Sequence, residues 1–275
     1  MRSAITICLV PEARKGPFVF HYDAGLAGLE AGCRAAAEFG FDAVEIFPGS
    51  AADVPADSLR QLVAAHGLAV AAVGTGAGWV KHRLQLCDPD AAVRARAAEF
   101  IAAIVDVAGE LGAPAIIGSM QGRMGEGVPH DAALAMLADA LGALGDRARR
   151  HGQPLLYEPL NRYETDLFNT QRAAADFLDH QGLDAVKLLC DLFHMNIEEA
   201  DMAATLAAVG TRVGHVHWAD SNRRAIGMGH TDPRPIIAAL QSIGYTGFLS
   251  AEIFPLPTPA EAARQSIESI RAFAS

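Results

Sequence analysis

Eight short apolar runs alternate with longer amphipathic segments along this chain. The runs are Ile5–Val10, Ala43–Phe47, Ala69–Val73, Ala115–Ile117, Leu155–Glu158, Val186–Cys190, Val213–Trp218 and Phe248–Ile253. Each is nearly continuous in hydrophobicity and is followed by Gly, Pro, Asn or a charged residue, the pattern of strands buried on both faces. Between them, alanine-rich segments carry a helical period: Leu26–Phe39, Asp57–His66, Asp90–Leu111, Asp131–His151, Thr170–Gln181, Asp201–Val209, Pro233–Ile243 and Thr258–Phe273. Several open on a capping residue or an early proline, as at Asp131, Thr170 and Pro233, and several end on glycine, as at Gly40, Gly67 and Gly244. Eight strand–helix units with no linker or low-complexity break predict one domain over residues 1–275, a single (β/α)8 barrel in the α/β class. A doubly wound open sheet is the structural alternative. Against it, no GxGxxG follows the first run, and eight units exceed what most open sheets use.

In such a barrel the chemistry lies where strands meet their following loops. Four consecutive runs end in a side chain that binds metals well: Glu158, Asp191, His217 and Glu252. A single charged residue there usually marks only where the chain reaches solvent. Here the separations are 33, 26 and 35 residues, each about one unit of the barrel, so the four converge on one point. Three crowded carboxylates repel unless a cation neutralises them. Three oxygen donors with one imidazole suit Mn²⁺, Mg²⁺ or Co²⁺ better than a sulfur-loving structural zinc.

Composition narrows the field. Of the 275 residues 51% are apolar and 7% aromatic, as in a helix-rich α/β protein with a large core. The formal charge of −10 repels phosphate backbones and argues against nucleic acid as the main partner. Cys8, Cys33, Cys87 and Cys190 are scattered in apolar surroundings and read as buried free thiols in a reducing compartment. The apolar start Met1–Val10 is too short for a signal peptide, and no stretch has the ~20 apolar residues of a membrane span. A cytoplasmic protein is expected.

The motifs Glu158-Pro-Leu-Asn-Arg-Tyr-Glu-Thr with Asn169-Thr170, Asp191-Leu-Phe-His194, His215-Val-His217 with Asp220 and Arg223, Gly227-Met-Gly-His-Thr-Asp232 and Glu252 resemble one family. This chain is similar, over nearly its whole length, to the xylose-isomerase-like sugar isomerases and epimerases, and most closely to ketose 3-epimerases of the D-tagatose 3-epimerase type. The resemblance implies that Glu158, Asp191, His217 and Glu252 bind the metal, Mn²⁺ first among the candidates. It implies that His194 and Arg223 hold the oxygens of a ketose or related keto-sugar, and that the protein is a homodimer or homotetramer.

The chemistry asks for these residues. Epimerisation at C3 removes a proton acidified by the C2 carbonyl, and a metal polarises that carbonyl on the way to a cis-enediolate. Inversion needs proton transfer on opposite faces, which two carboxylates can perform; Glu158 and Glu252, three strands apart, are the expected acid–base pair. His215, two residues before His217, faces the same side one layer deeper and is expected to hydrogen-bond a ligand. Glu45 suits either a substrate hydroxyl or a salt bridge inside the barrel. Gln121-Gly-Arg123 suits polar donors or a structural loop, and Asn161 and Arg162 an organised loop. Trp79, Phe193 and Trp218 suit an apolar wall or the core, and Gly227-Met-Gly229 a phosphate cradle or a turn.

Three rivals remain. Aldose–ketose isomerases of the hydroxypyruvate type, and inosose isomerases or dehydratases, resemble the chain at the same metal positions. Apurinic endonucleases share the barrel, but need a zinc cluster with histidines from the early strands, which this sequence lacks. A non-catalytic sugar-binding barrel would need no paired acid and base.

Overall fold

A computed structural model describes residues 1–124 and 127–274. The strands are β1 (Arg2–Cys8), β2 (Phe20–His21), β3 (Ala43–Phe47), β4 (Ala69–Gly74), β5 (Ala115–Ile117), β6 (Leu155–Tyr157), β7 (Val186–Asp191), β8 (Val213–His217) and β9 (Phe248–Ala251). All pairings are parallel in the order β1-β3-β4-β5-β6-β7-β8-β9, and β9 pairs back onto β1, closing an eight-stranded (β/α)8 barrel. The helices are α1 (Leu26–Phe39), α2 (Ala56–Ala65), α3 (Ala77–His82), α4 (Ala91–Glu110), α5 (His130–Arg150), α6 (Gln171–His180), α7 (Leu192–Glu198), α8 (Met202–Val209), α9 (Pro233–Ser242) and α10 (Pro259–Ala274).

The strands are apolar on both faces because each side has its own packing partner. Outward residues such as Ile5, Ile7, Val44 and Ile46 join helix residues such as Leu29, Ile101, Leu137 and Ile267 in one continuous core. Inward residues form smaller clusters, Ala4–Ala43–Ala71 and Ala72–Ile116–Leu156–Leu189. Above these lie polar residues, Thr6 and Glu45 on β1 and β3 and His215 and His217 on β8, each at most 3% exposed. Small alanines on the axis leave room for that polar layer.

The structure departs from the pattern in three places. β1 begins at Arg2 and ends at Cys8, rather than spanning Ile5–Val10. Arg2 is exposed yet pairs with Phe248, and its guanidinium lies 4.0 Å over that ring, so a polar residue starts the strand. The two-residue β2 is too short to carry a period. It pairs with Ile7 and Cys8 beyond Ile5, the last β1 residue that β9 reaches. Helices α3 and α7 are unforeseen because six or seven residues give less than two turns of amphipathic pattern. The second is the important one: Asp191 ends β7 and caps α7, its Oδ1 accepting the Phe193 N–H at 2.8 Å. All four cysteines are free and buried. Among the described residues no helix is long and apolar enough to cross a membrane.

Candidate metal centre and active site

The structure brings Glu158, Asp191, His194, His217, Arg223 and Glu252 to one cavity at the C-terminal end of the barrel. Glu158 follows β6 directly, Asp191 and His217 end β7 and β8, and Glu252 follows β9. At its centre, His217 Nδ1 lies 3.5 Å from Asp191 Oδ2, 3.7 Å from Glu252 Oε2 and 3.8 Å from Glu158 Oε1. From the second side, His194 Nε2 lies 3.7 Å from Asp191 Oδ2 and 3.8 Å from Glu158 Oε1. Arg223 Nη2 pairs with Glu252 Oε2 and lies 3.5 Å from Asp191 Oδ2.

Local structure explains how each side chain is aimed. The Glu158 N–H donates to Ile117 O at 2.9 Å, and its carbonyl accepts from Gln121 Nε2, also at 2.9 Å. Gln121 is itself held by the Tyr157 hydroxyl at 2.6 Å, so the Gln121 segment is a structural brace. Arg223 adopts a left-handed backbone, φ 58°, within a turn built on Asp220. The buried Asp220 carboxylate accepts backbone N–H groups from Ser221, Gly227, Gly229 and Thr231 at 2.7 to 3.0 Å. Gly227 and Gly229 therefore spend their N–H groups on the chain's own carboxylate and Met228 donates to Ala225 O, so the stretch offers no phosphate cradle. Phe193 supports Arg223, whose guanidinium sits 4.9 Å above the ring. Trp218 is fully buried, donating to Ser269 on α10, and belongs to the core. Trp79 lines a neighbouring cavity, with Arg123 and the exposed Tyr163.

Glu45 resolves to the salt bridge within the barrel. Its Oε2 lies 2.8 Å from His215 Nε2, its Oε1 lies 3.2 Å from His217 Nε2, and Thr6 Oγ1 donates to it at 3.1 Å. His215 thus meets Glu45, one step further from the centre than the sequence suggests. Sequence reasoning misses Glu164, whose Oε1 is 3.9 Å from His194 Nδ1 and 4.0 Å from Arg223 Nη1. It lies in a loop, where no periodicity marks it, although it belongs to the motif that begins at Glu158.

Electrostatics single out the same place. Burial raises the Glu158 pKa well above the usual range, and the charges of Glu252 and Asp191 add to that rise. Burial likewise raises Glu252, with Arg223 and His217 opposing. Burial lowers His194 to about 4. Burial also resists charge on His217, but Glu45 and Glu252 outweigh it and raise its pKa well above the usual value. Four buried side-chain atoms of cavity-lining residues have no hydrogen-bond partner: Glu158 Oε1, His194 Nε2, His217 Nδ1 and Arg223 Nε. Unpaired buried polar atoms are costly unless a ligand completes them. Three carboxylates converging on an unpaired imidazole nitrogen have the donor set and the charge that a divalent cation with oxygen preference requires.

A closed parallel barrel with an acid-rich centre and a cavity at this mouth defines a barrel enzyme. Residues 33–273 match the family model described as xylose isomerase-like TIM barrel, and the chain belongs to that family. It is 32% identical over 243 residues to the L-ribulose 3-epimerase of Mesorhizobium japonicum, covering 86% of this chain and 79% of that protein. It is also 32% identical to the ketose 3-epimerase of Arthrobacter globiformis, covering 85% and 80% of the two chains. A crystal structure of D-allulose 3-epimerase from Methylomonas sp. in complex with D-allulose superposes with a TM-score of 0.81 and 25% identity, covering 99% of this chain and 97% of the other. The chain is an isomerase.

Proposed function

We propose that this protein is a divalent-metal-dependent ketose 3-epimerase that works through a cis-enediolate, with Glu158 and Glu252 as the acid–base pair. The observation that carries the reading is the approach of three carboxylates, each 3.5 to 3.8 Å from the unpaired Nδ1 of His217. The named activities of the family members above support it. Glu158, Asp191, His217 and Glu252 would hold the ion, Mn²⁺ before Mg²⁺ or Co²⁺. When bound, it supplies electrophilic polarisation of the substrate's C2 carbonyl, acidifying the C3 hydrogen.

The remaining work falls to the chain. One glutamate takes the C3 proton while the other delivers a proton to the opposite face, and the reverse reaction exchanges their roles. Burial raises both carboxyls in the metal-free chain, and a bound cation would oppose that rise by stabilising the carboxylates. His194 and Arg223 donate to the oxygens of the sugar's C1–C2 end as negative charge builds there. Phe47, Ile116 and Leu160 line the cavity and limit water around the reacting carbon. We infer a small keto-sugar as substrate and a homodimer or homotetramer as the assembly, both resting on resemblance to the family.

Incubation with fructose, tagatose and ribulose in D₂O with Mn²⁺ tests the reading. Deuterium entering at C3 together with the C3 epimer is the expected result. Exchange at C1 alone identifies an aldose–ketose isomerase, and exchange at neither position removes the ketose reading.

A further inference from the structure

The two histidines of the cavity are held from behind by partners of opposite kind. His217 turns Nδ1 to the three carboxylates and sets Nε2 at 3.2 and 3.3 Å from the two oxygens of Glu45. An ionised carboxylate only accepts hydrogen bonds, so Nε2 of His217 carries a proton, and once a cation sits among the three carboxylates Nδ1 is left with a lone pair to give it. His194 is turned the other way round. Its Nε2 faces the cavity without a partner, while its Nδ1 meets the backbone N–H of Asn161 at 3.2 Å and the side-chain nitrogen of Asn161 at 2.8 Å.

A backbone N–H can only donate, so Nδ1 of His194 accepts and Nε2 carries the proton. The orientation of the Asn161 amide is fixed independently. Its Oδ1 accepts the Tyr163 N–H at 3.0 Å and its Nδ2 donates to Glu164 Oε1 at 3.1 Å, which leaves nitrogen, not oxygen, towards the ring. Asn161 is 2% exposed and Glu45 3%, so water does not substitute freely for either.

We propose that Glu45 and Asn161 are positioning residues that impose one tautomer on both histidines but present it from opposite ends, so that His217 offers a lone pair and His194 offers a proton. A consequence concerns the metal. Two carboxylate–histidine groups overlap at Asp191, one with Glu158 and His194 and the other with His217 and Glu252. Only the second has an imidazole lone pair to give. His194 is thereby kept as a neutral donor to a substrate oxygen and barred from ligation. What fills the cavity rests on the epimerase reading; the tautomers do not.

The test is long-range ¹H–¹⁵N correlation on ¹⁵N-labelled protein saturated with Mg²⁺, with calorimetric titration of Mn²⁺ into metal-stripped protein. In the wild type, both His194 and His217 are expected to carry the proton on Nε2 and to leave Nδ1 bare. A proton on Nδ1 of His194 overturns the proposal without any mutation. Asn161→Asp sets an acceptor against Nδ1; His194 should move to the Nδ1–H or doubly protonated form, and kcat should fall ~10²-fold while Mn²⁺ affinity holds. Asn161→Ala keeps the backbone donor and should keep the Nε2–H form.

Glu45→Gln has one acceptor for two imidazoles; Mn²⁺ affinity should fall ~10- to 100-fold, with the tautomer of His194 unchanged. Retention of the Nε2–H form in Asn161→Asp, or of full Mn²⁺ affinity in Glu45→Gln, overturns the proposal. If no ketose exchanges at C3 yet the tautomers and affinities behave as stated, the epimerase reading fails and this inference stands.

Discussion

Gly118 leaves the space that the Glu158 carboxylate occupies: a Cβ at Gly118 stands 2.4 Å from Glu158 Oε2. The backbone of Gly118 is not left-handed, so the demand is for room and not for conformation. Gly118→Ala should therefore fold, since the group in its way is the end of a flexible side chain. The shifted carboxylate should lower kcat/KM on the ketose by ~10²-fold, the scale set by a misplaced reacting group. Unchanged activity with an intact circular dichroism spectrum would falsify the placement of Glu158 at the reacting carbon.

Glu158→Gln and Glu252→Gln keep the shape of each side chain and remove its basicity. Each should cut C3 epimerisation by ~10²- to 10⁴-fold, the usual worth of a general acid or base. Each should also weaken Mn²⁺ binding, because both carboxylates face His217 Nδ1. A glutamine variant that binds Mn²⁺ less well yet turns over normally at saturating metal is a ligand only, and the acid–base assignment is then lost for that residue.

Metal removal should destabilise the fold. Without a cation, Glu158, Asp191 and Glu252 share one buried centre, offset chiefly by His217 and Arg223. An ion present at a hundred times its Kd adds about 2.7 kcal/mol by mass action. The melting temperature should fall on chelation and return on adding Mn²⁺; a melting temperature that ignores both treatments counts against the centre.

Asp220 should show itself at acid pH. Burial raises its pKa, but the N–H groups of Thr231, Ser221, Gly229 and Gly227 outweigh burial and hold it below the usual value. Because the folded value lies below the unfolded one, about 3.9, its contribution is complete above that pH and lost as pH falls through the folded value. Asp220→Ala should cost ~1–3 kcal/mol for the unpaired N–H groups. It should also raise KM, because the turn it holds carries Arg223. Denaturant unfolding at pH 7 and pH 3 should show the difference between wild type and variant shrinking at the lower pH.

Much of this was written in the order of residues. The eight apolar runs announce eight barrel strands, because strands packed on both faces must be apolar throughout; seven of the eight lie within a few residues of the observed spans, with β1 shifted towards Arg2. Glu158, Asp191, His217 and Glu252 are legible for the same reason, since a donor at the end of an apolar run can only emerge at the barrel mouth. Helices α3 and α7 were not legible, since six or seven residues span less than two amphipathic turns.

What tertiary structure alone decided is which atoms meet. Glu45 is 170 residues from His215 and 172 from His217, and the sequence gives no reason to choose the salt bridge over a sugar hydroxyl. Barrel closure chooses, by bringing Glu45 on β3 and the two histidines on β8 together, each at most 3% exposed. Asn161 and His194 are likewise 33 residues apart, and only the return of the loop after β6 over the start of α7 makes one the hydrogen-bond donor of the other. Patterns of burial are carried by the chain itself, because each residue declares its own affinity for water. Pairings between polar groups belong to the closed barrel, because they depend on distances that exist only once it has formed.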